Sequence, residues 1–344
     1  MTALAVAPNA ARGEQGLPRS PAAAVRGALR RYRGGRSVGP IDLDVREGEV
    51  LALMGSNGAG KSTLLRLLAT ADRPDDGRVT WWGDPRPSRA RRRLGYAADE
   101  PAEETTLSPR QSTHFWCRQW VRDGERARRL TAEALEALGL AGRADEPVGT
   151  LSFGLRRRLA LAQALVHRPG LALLDEPSAG LDPDGVRVVS AALRARAREG
   201  LSTVVASNDP EMVAGVADRV AMLHEGRCLR VAPLEELLAE VPRRRIVELS
   251  VGDPGESVEM LTEAVARRVA GLTGVRLLSA AAGRISAQLD DDAALSRLVA
   301  AADSIGTGLR GLEVRRPDLR ECFHALVGGG GAGGPSAAPA EAGG

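Results

Sequence analysis

Lysine is almost absent from this chain of 344 residues. Lys and Arg together number 47, and Lys61 is the only lysine, so the other 46 are arginines. The chain also has four histidines. The formal net charge is only +3, and the pI of about 9.1 therefore reflects arginine usage and not a basic arm. No aromatic residues interleave with the arginine run at 88–95, so nucleic acid is not a predicted partner.

Cysteine and long apolar runs are also scarce. The three cysteines, Cys117, Cys228 and Cys322, are scattered without a CxxC pair, which excludes a cysteine-based metal knuckle and predicts reduced thiols in a cytoplasmic protein. No apolar run approaches 18 residues, so no membrane-spanning helix is predicted. The first residues lack the apolar core of a signal peptide, so secretion is not expected. Any role at a membrane must then come through a partner.

The periodicity of the apolar residues divides the chain into two structured blocks. Residues 1–22 are predicted to be disordered, and 328–344 to form a flexible tail rich in Gly, Ala and Pro. In the first block, 23–240, short apolar runs alternate with helical patterns, which predicts an α/β fold with a largely parallel sheet. In the second, 241–327, the predicted order β-α-β-β-α-β followed by a short helix is typical of a small α+β ferredoxin-like domain.

A phosphate-binding pattern lies in the first block. GSNGAGKST follows the apolar run VLALM, precedes the helical pattern LLRLLAT, and matches G-x-x-x-x-G-K-[ST]. Its glycines permit a tight turn whose N–H groups point at phosphate oxygens, although a glycine-rich turn without a ligand is the alternative. Lys61 is predicted to reach the β- and γ-phosphates, where a forked guanidinium would fit poorly, and Ser62 to ligate Mg²⁺. The residues predicted to surround the nucleotide here are Gly55, Ser56, Asn57, Gly58, Ala59, Gly60, Lys61, Ser62 and Thr63.

Two acids end the apolar run LALLDE at 171–176. Asp175 is predicted to hold Mg²⁺ through a water molecule, and Glu176 to polarise the attacking water. General-base assistance of this kind contributes about 10²–10⁴-fold in rate. A strand that ends in two solvated carboxylates is the alternative, and the phosphate-binding pattern argues against it. The two motifs therefore predict a nucleoside triphosphate and Mg²⁺ as ligands.

With these motifs in order and at the right spacing, residues 25–235 resemble the nucleotide-binding domain of ATP-binding cassette (ABC) proteins. LSFGL at 151–155 stands where that family has LSGGQ, and SAGLD at 178–182 matches its D-loop. The resemblance implies a P-loop NTPase fold with a helical subdomain at about 95–165. It also implies a head-to-tail dimer with a second nucleotide-binding subunit, identical or not, in which each ATP lies between one phosphate-binding loop and the other LSFGL segment.

The resemblance assigns further nucleotide contacts. Tyr32 lies at the distance before the loop of the aromatic residue that stacks on adenine, although packing on an exposed strand is the alternative. Ser152 and Gly154 would contact the γ-phosphate of the ATP held by the other subunit, with help from the helix dipole. Asp182, in the D-loop, is included among the residues predicted to bind the nucleotide.

Several positions depart from the family pattern. Asp99 or Glu100 stands where the family has its Q-loop glutamine, and a carboxylate there can still contact Mg²⁺ or water. Phe153 and Leu155 replace a glycine and a glutamine in the LSGGQ signature. Asn208 stands where the family has a histidine beside the γ-phosphate; it can donate a hydrogen bond but carries no charge, so hydrolysis could be slow. Asn208 as a simple turn residue is the alternative.

Three aromatic residues, Phe115, Trp116 and Trp120, have helical spacing. In the family this region borders the groove that receives a coupling helix of the membrane subunit. Packing in a helix core is the alternative for these side chains.

The resemblance as a whole implies the ATP-hydrolysing subunit of a bacterial ABC exporter, peripheral on the cytoplasmic face of the cell membrane and docked on a separate transmembrane permease. The second block is similar to the C-terminal extension of drug and polysaccharide exporter ATPases, with Leu319, Glu321 and Phe323 as counterparts of its final motif. A degenerate, slowly hydrolysing regulatory subunit is one alternative. A cassette ATPase acting on ribosomes or DNA is another, but the chain has neither a second cassette nor a long coiled coil.

Overall fold

The computed structural model of the chain describes residues 21–99, 105–240, 245–251, 258–281, 283–304, 309–315 and 318–328. These residues form two compact units that divide between Val231 and Ala232. Outside the described residues lie 1–20 of the predicted disordered start at 1–22, Glu100, and 329–344 of the predicted flexible tail at 328–344. Within the described ranges, no helix combines the length and the apolar character that crossing a membrane requires.

Strands and helices alternate through most of the first unit. In chain order they are β1 (Ala23–Arg31), β2 (Ser37–Val45), β3 (Val50–Met54), α1 (Lys61–Leu68), β4 (Asp76–Trp81), α2 (Pro87–Ala90), β5 (Leu94–Ala97), α3 (Pro109–Arg118), α4 (Gly124–Ala137), α5 (Phe153–Leu165), β6 (Leu171–Asp175), α6 (Pro183–Arg198), β7 (Ser202–Ala206), α7 (Pro210–Val216), β8 (Arg219–His224) and β9 (Arg227–Pro233).

A six-stranded sheet determines where the functional residues lie. Its strand order is β5-β6-β7-β3-β8-β9, and the pairings from β5 across to β8 are all parallel. Leu53, Ala206 and Asp175 are neighbours in register across β3, β7 and β6. The chain segments that follow these three strands therefore leave the sheet at the same edge, where ligands bind in open α/β sheets.

The central strands are apolar because both faces of the sheet are covered. Every residue of β3, β6 and β7 is buried, as expected for parallel strands between helices. On one face, Leu173 packs in the same cluster as Leu65 of α1. On the other face, Leu174 packs in the same cluster as Leu193 of α6. The sheet edge is thus a rigid support for whatever follows the strands.

Two smaller substructures complete the first unit. An antiparallel sheet of order β2-β1-β4 is joined to α1 by the Trp81 indole, which donates to the carbonyl of Leu68 at 2.8 Å. The segment predicted as a helical subdomain contains α3, α4 and α5. Helix α3 begins with a capping box in which Ser108 and Gln111 bond each other's backbone N–H groups.

From residue 245 onward the second unit has the order of strands and helices that the sequence pattern predicts, and one further helix precedes them, before the predicted boundary at 240/241. It contains α8 (Leu234–Glu240), β10 (Arg245–Val251), α9 (Val258–Ala270), β11 (Val275–Ala281), β12 (Arg284–Leu289), α10 (Asp292–Asp303), β13 (Leu309–Arg315) and α11 (Leu319–Gly328). The four strands form an antiparallel sheet of order β11-β12-β10-β13. Val247 and Ile285 of the sheet pack with Val265 of α9 and Leu298 of α10.

Candidate active site

The loop at 55–60 connects β3 to α1 and can be built only with glycine at key positions. Gly58 and Gly60 have φ angles of 80° and 102°, in the left-handed region that glycine adopts without strain. A Cβ atom on Gly60 would lie 2.8 Å from a methyl group of Val38, and one on Gly55 would lie 2.2 Å from the carbonyl oxygen of Leu223. Glycine at these positions therefore lets the loop follow a tight path into the N-terminus of α1, the kind of turn that binds phosphate in other proteins.

Lys61, the first residue of α1, is buried with its ammonium group inside the curve of this loop. Nζ donates to the carbonyl oxygen of Gly55 at 2.7 Å and to that of Ser56 at 3.4 Å. It also lies 3.6 Å from Oε1 of Glu176. A compact cation therefore sits where the loop and the end of β6 meet.

Asp175, the last residue of β6, offers an unsatisfied oxygen beside the loop. Its side chain is buried, and burial raises the pKa of the carboxyl, while a hydrogen bond from Ser62 opposes that increase in pKa. Among the described residues, its Oδ1 has no hydrogen-bond partner. A buried carboxylate oxygen without a partner, next to a serine hydroxyl, is a donor set that fits a hard cation such as Mg²⁺.

Glu176 follows directly and has a strained backbone, with φ at +44°. Its N–H donates to the carbonyl of Ala206 at 2.8 Å, and its Oε2 lies 3.4 Å from the backbone N of Asn208. Burial raises the pKa of the Glu176 carboxyl, and the nearby Lys61 ammonium opposes this increase. A raised pKa makes the carboxylate a stronger base, which suits it to accept a proton from water.

The residues that depart from the family pattern occupy the same edge. Asn208 is exposed and approaches Glu176 through its backbone; its side chain is free to point elsewhere. Asp99 follows β5, and its Oδ1 accepts a hydrogen bond from Arg157 at 3.2 Å. Burial lowers the pKa of Arg157, and Asp99 opposes that effect. Sequence reasoning did not identify Arg157, because nothing distinguishes it from the arginines on either side.

Tyr32 lies just after β1 and is joined to the loop from the outside. Its hydroxyl is 2.9 Å from the hydroxyl of Thr63 in α1. The ring is 39% exposed, with the guanidinium of Arg30 at 5.7 Å from its centre. The ring is therefore accessible to a ligand and is held near the start of α1.

The LSFGL segment begins α5 and packs against the D-loop of the same chain. The Ser152 hydroxyl caps α5 by accepting from the N–H of Leu155, and the Asp182 carboxylate caps α6 by accepting from the N–H of Gly185. A Cβ atom on Gly154 would lie 3.2 Å from the carbonyl of Gly180. Phe153 is 60% exposed and lies against Gly180, where an added Cβ would be 2.4 Å from its ring. The start of α5 thus presents a serine hydroxyl and an exposed aromatic ring.

The three aromatic residues near α3 are on the surface, so the helix-core interpretation is wrong. Phe115, Trp116 and Trp120 are 58%, 48% and 43% exposed. The rings of Phe115 and Trp116 make an edge contact with centroids 5.9 Å apart. Trp120 stacks on His167 with centroids 5.0 Å apart. They form an exposed aromatic patch, Phe115–Trp116–Trp120.

A glycine loop closed by a lysine, with two strand-end acids at one edge of a parallel sheet, defines a P-loop nucleotide-binding ATPase. The family model described as ABC transporter matches residues 38–179. The daunorubicin resistance ATP-binding protein DrrA3 of Streptomyces coeruleorubidus is 34% identical over 315 residues, covering 88% of this chain and 95% of that protein. The chain therefore belongs to the ABC transporter family of ATP-binding proteins, and it hydrolyses ATP.

Two further comparisons agree with this membership. The Nod factor export ATP-binding protein I of Burkholderia orbicola is 32% identical over 232 residues, covering 67% of this chain and 76% of that protein. Among solved structures, cbiO1 from Clostridium perfringens, part of the ABC transporter complex cbiONQ, is 30% identical with a TM-score of 0.58. That alignment covers 64% of this chain and 92% of cbiO1.

Proposed function

We propose that this chain is the ATP-hydrolysing subunit of a bacterial exporter and drives a separate membrane permease. The observation that carries the catalytic part is the meeting of Lys61, Ser62, Asp175 and Glu176 at one sheet edge, with Lys61 Nζ 3.6 Å from Glu176 Oε1. The export part is supported by similarity along 88% of the chain to a protein named for daunorubicin resistance. A position on the cytoplasmic face of the membrane follows from this role.

Each residue of the edge has a distinct task in hydrolysis. Lys61 neutralises phosphate charge, and the loop N–H groups orient the same phosphates. Ser62 and Asp175 would hold Mg²⁺, which supplies additional charge neutralisation when bound. Glu176 holds the attacking water by a hydrogen bond and accepts its proton, a task for which a raised pKa is favourable. Asp99 lies close enough to raise the pKa of Asp175, so it also contributes to the charge of this site.

A second subunit would complete the site. Ser152 and Gly154 lie at the start of α5, a helix of 13 residues whose N-terminus carries positive partial charge. In a head-to-tail dimer, this end faces the γ-phosphate on the partner subunit, and the exposed ring of Phe153 lies at the interface. Tyr32 would stack on the adenine of the ATP in its own subunit, and Asp182 would support the interface from the D-loop.

The second unit is proposed to be ferredoxin-like. Its strand order, read from β13 through β10 and β12 to β11, places the first and third strands of the unit at the centre, as that fold requires. Leu319, Glu321 and Phe323 lie in α11, where the resemblance to exporter ATPases places the final motif. The boundary predicted from the sequence at 240/241 falls after α8, whereas the second compact unit begins at Ala232 and includes that helix.

Docking on the permease is expected to depend on the aromatic patch. Phe115→Ala with Trp116→Ala should weaken co-sedimentation with vesicles that contain the permease by about tenfold or more, since buried interface aromatics commonly contribute about 2 kcal/mol. The matched control is Leu229→Ala, because Leu229 is a similarly exposed apolar residue on β9. Equal co-sedimentation of the patch variant and wild type, with ATP affinity unchanged in both, would contradict the proposed docking.

Asn208→His is expected to raise steady-state ATP turnover about tenfold, because an imidazole could bond both the γ-phosphate and the water held by Glu176. This gain equals roughly 1.4 kcal/mol, the scale of one hydrogen bond to a charged group. Asn208 is exposed, and Asp99 is paired with Arg157 and not with Asn208. The larger imidazole ring therefore does not have to displace a packed Asn208–Asp99 pair. Phosphate release from purified protein measures the effect.

The double variant with Glu176→Gln serves as the control for Asn208→His. Both residues position one water, so the double variant should lose the gain entirely. Lower or unchanged turnover in Asn208→His, with ATP affinity intact, would show that Asn208 does not limit hydrolysis. That result would also remove the sequence-based reason for regarding the chain as a slow regulatory subunit.

A further inference from the structure

Arg157 connects the ends of two strands from inside the protein. It lies in the second turn of α5, and its side chain is buried. Its Nε and Nη2 atoms both donate to the carbonyl oxygen of Glu176, at 3.2 and 2.6 Å, and Nη2 also donates to that of Asp175. Its Nη1 donates to the carbonyl oxygens of Ala98, at 3.0 Å, and of Asp99. One guanidinium thus holds the segments that follow β5 and β6.

The charge of this guanidinium is balanced by Asp99. Oδ1 of Asp99 accepts a hydrogen bond from Nη2 of Arg157 at 3.2 Å. The arginine side chain is 2% exposed, and the aspartate side chain is 59% exposed. A buried guanidinium without a nearby anion would be costly. All five of its N–H donors have acceptors within reach, so the group is fixed in orientation as well as neutralised.

The carbonyl that receives two of these hydrogen bonds belongs to a strained residue. A non-glycine residue with positive φ, such as Glu176, costs on the order of 1–3 kcal/mol and persists only where its surroundings hold it. The N–H of Glu176 donates to the carbonyl of Ala206, and its own carbonyl accepts from Arg157 and from the backbone N–H of Ala179 at 3.0 Å. Arg157 therefore supplies the only side-chain restraint among the three partners that the described residues provide for the Glu176 backbone, and these partners set where the carboxylate points.

We propose that Arg157, with Asp99 as its counter-ion, is a positioning residue for ATP hydrolysis. It keeps the Glu176 backbone in the conformation that directs the carboxylate toward Lys61, and it ties that conformation to the first turns of α5. A shift of α5 caused by a partner at Ser152 would then reach the Glu176 carbonyl directly through the Arg157 guanidinium. This inference rests on the proposed role of Glu176 in activating water.

Arg157→Lys tests the inference because it keeps the charge and removes the fork. A lysine has one nitrogen with three donors and cannot serve four carbonyl groups and a carboxylate together. We expect kcat to fall at least about tenfold, the effect of losing one charge-assisted hydrogen bond, while KM for ATP changes less than about threefold. The measurement is phosphate release per ATP-binding site, with the sites counted by calorimetric titration so that unfolded protein does not contribute.

Arg158→Lys is the matched control. Arg158 is the next residue of α5, but its guanidinium donates to the carbonyl oxygen of Leu138, at 3.1 Å, and not to the sheet edge. It is expected to retain the kcat of the wild type. Wild-type kcat in Arg157→Lys with all sites occupied would overturn the inference, and so would an equal loss in Arg158→Lys.

Asp99→Asn gives a second test that does not threaten folding, because this carboxylate is largely exposed. It should lower kcat by itself, and it should lower kcat no further in the Arg157→Lys background, because both residues act through one contact. If the losses of kcat in Asp99→Asn and Arg157→Lys add in the double variant, the inference is overturned. If Arg157→Lys does not fold, an unchanged kcat in Asp99→Asn alone overturns it. Glu176→Gln is measured in the same assay. If Glu176→Gln keeps full turnover, both the proposed role of Glu176 and this inference fail. If Glu176→Gln loses turnover while Arg157→Lys keeps the wild-type kcat, only this inference fails.

Discussion

Lys61→Ala is expected to abolish ATP binding at any practical concentration. The side chain is buried, and its ammonium is the only side-chain cation within the loop among the described residues, held by the Gly55 and Ser56 carbonyls. Truncating one partner of a buried charge pair costs roughly 3 kcal/mol or more, which is at least about a hundredfold in affinity. Calorimetric titration with ATP measures the loss directly, and equal affinities for the variant and wild type would rule out the proposed phosphate-binding role.

Lys61→Arg is the informative companion to this variant. Its charge is unchanged, so it separates the need for a cation from the need for a small one. Lys61 is buried and its Nζ already donates to the Gly55 carbonyl at 2.7 Å, so a larger planar fork of five donors would have to displace its surroundings. We expect ATP binding to be strongly impaired here as well, with melting temperatures compared to confirm that each variant is folded.

Glu176→Gln is expected to separate ATP binding from hydrolysis. Glutamine keeps the length of the side chain and can still accept a hydrogen bond from Asn208, but it cannot take a proton from water. Turnover should fall by about 10²–10⁴-fold, the usual contribution of a general base. ATP affinity should be retained or increased, because a negative charge 3.6 Å from Lys61 is removed from the phosphate site.

The trapped state provides a second readout for Glu176→Gln. If ATP lies between two subunits, a variant that binds but does not hydrolyse it should accumulate as an ATP-dependent dimer in size-exclusion chromatography. Lys61→Ala, run in the same way, should remain monomeric with ATP present. A Glu176→Gln protein with wild-type turnover would show that another group activates the water.

Much of the fold and of the catalytic edge is predictable from the sequence, because both arise from local patterns. The apolar runs that end at Met54 and Asp175 are buried strands of the parallel sheet, and parallel strands bring their carboxyl ends to one edge. The alternating and helical periods after residue 245 likewise match the strands and helices of the second unit. In these regions each residue's preference agrees with the tertiary structure.

The role of Arg157 could not be predicted, because it depends on three-dimensional geometry alone. Arg156, Arg157 and Arg158 are consecutive and chemically identical, and successive residues on a helix point about 100° apart. Only the rotation of α5 about its axis decides which guanidinium meets the ends of β5 and β6. The stacking of Trp120 on His167 is similar, since the two residues lie far apart in sequence and His167 had no predicted role.

The burial of Lys61 also gives the protein an unusual reactivity. Acylating reagents modify primary amines, and they leave the guanidinium groups that supply the rest of the positive surface unmodified. The single ε-amine of the chain lies inside the loop at 55–60, hydrogen-bonded to the Gly55 carbonyl, in the place where phosphates would cover it. Covalent labelling of a lysine side chain therefore marks one atom of this protein, and bound phosphates are expected to protect that atom from the reagent.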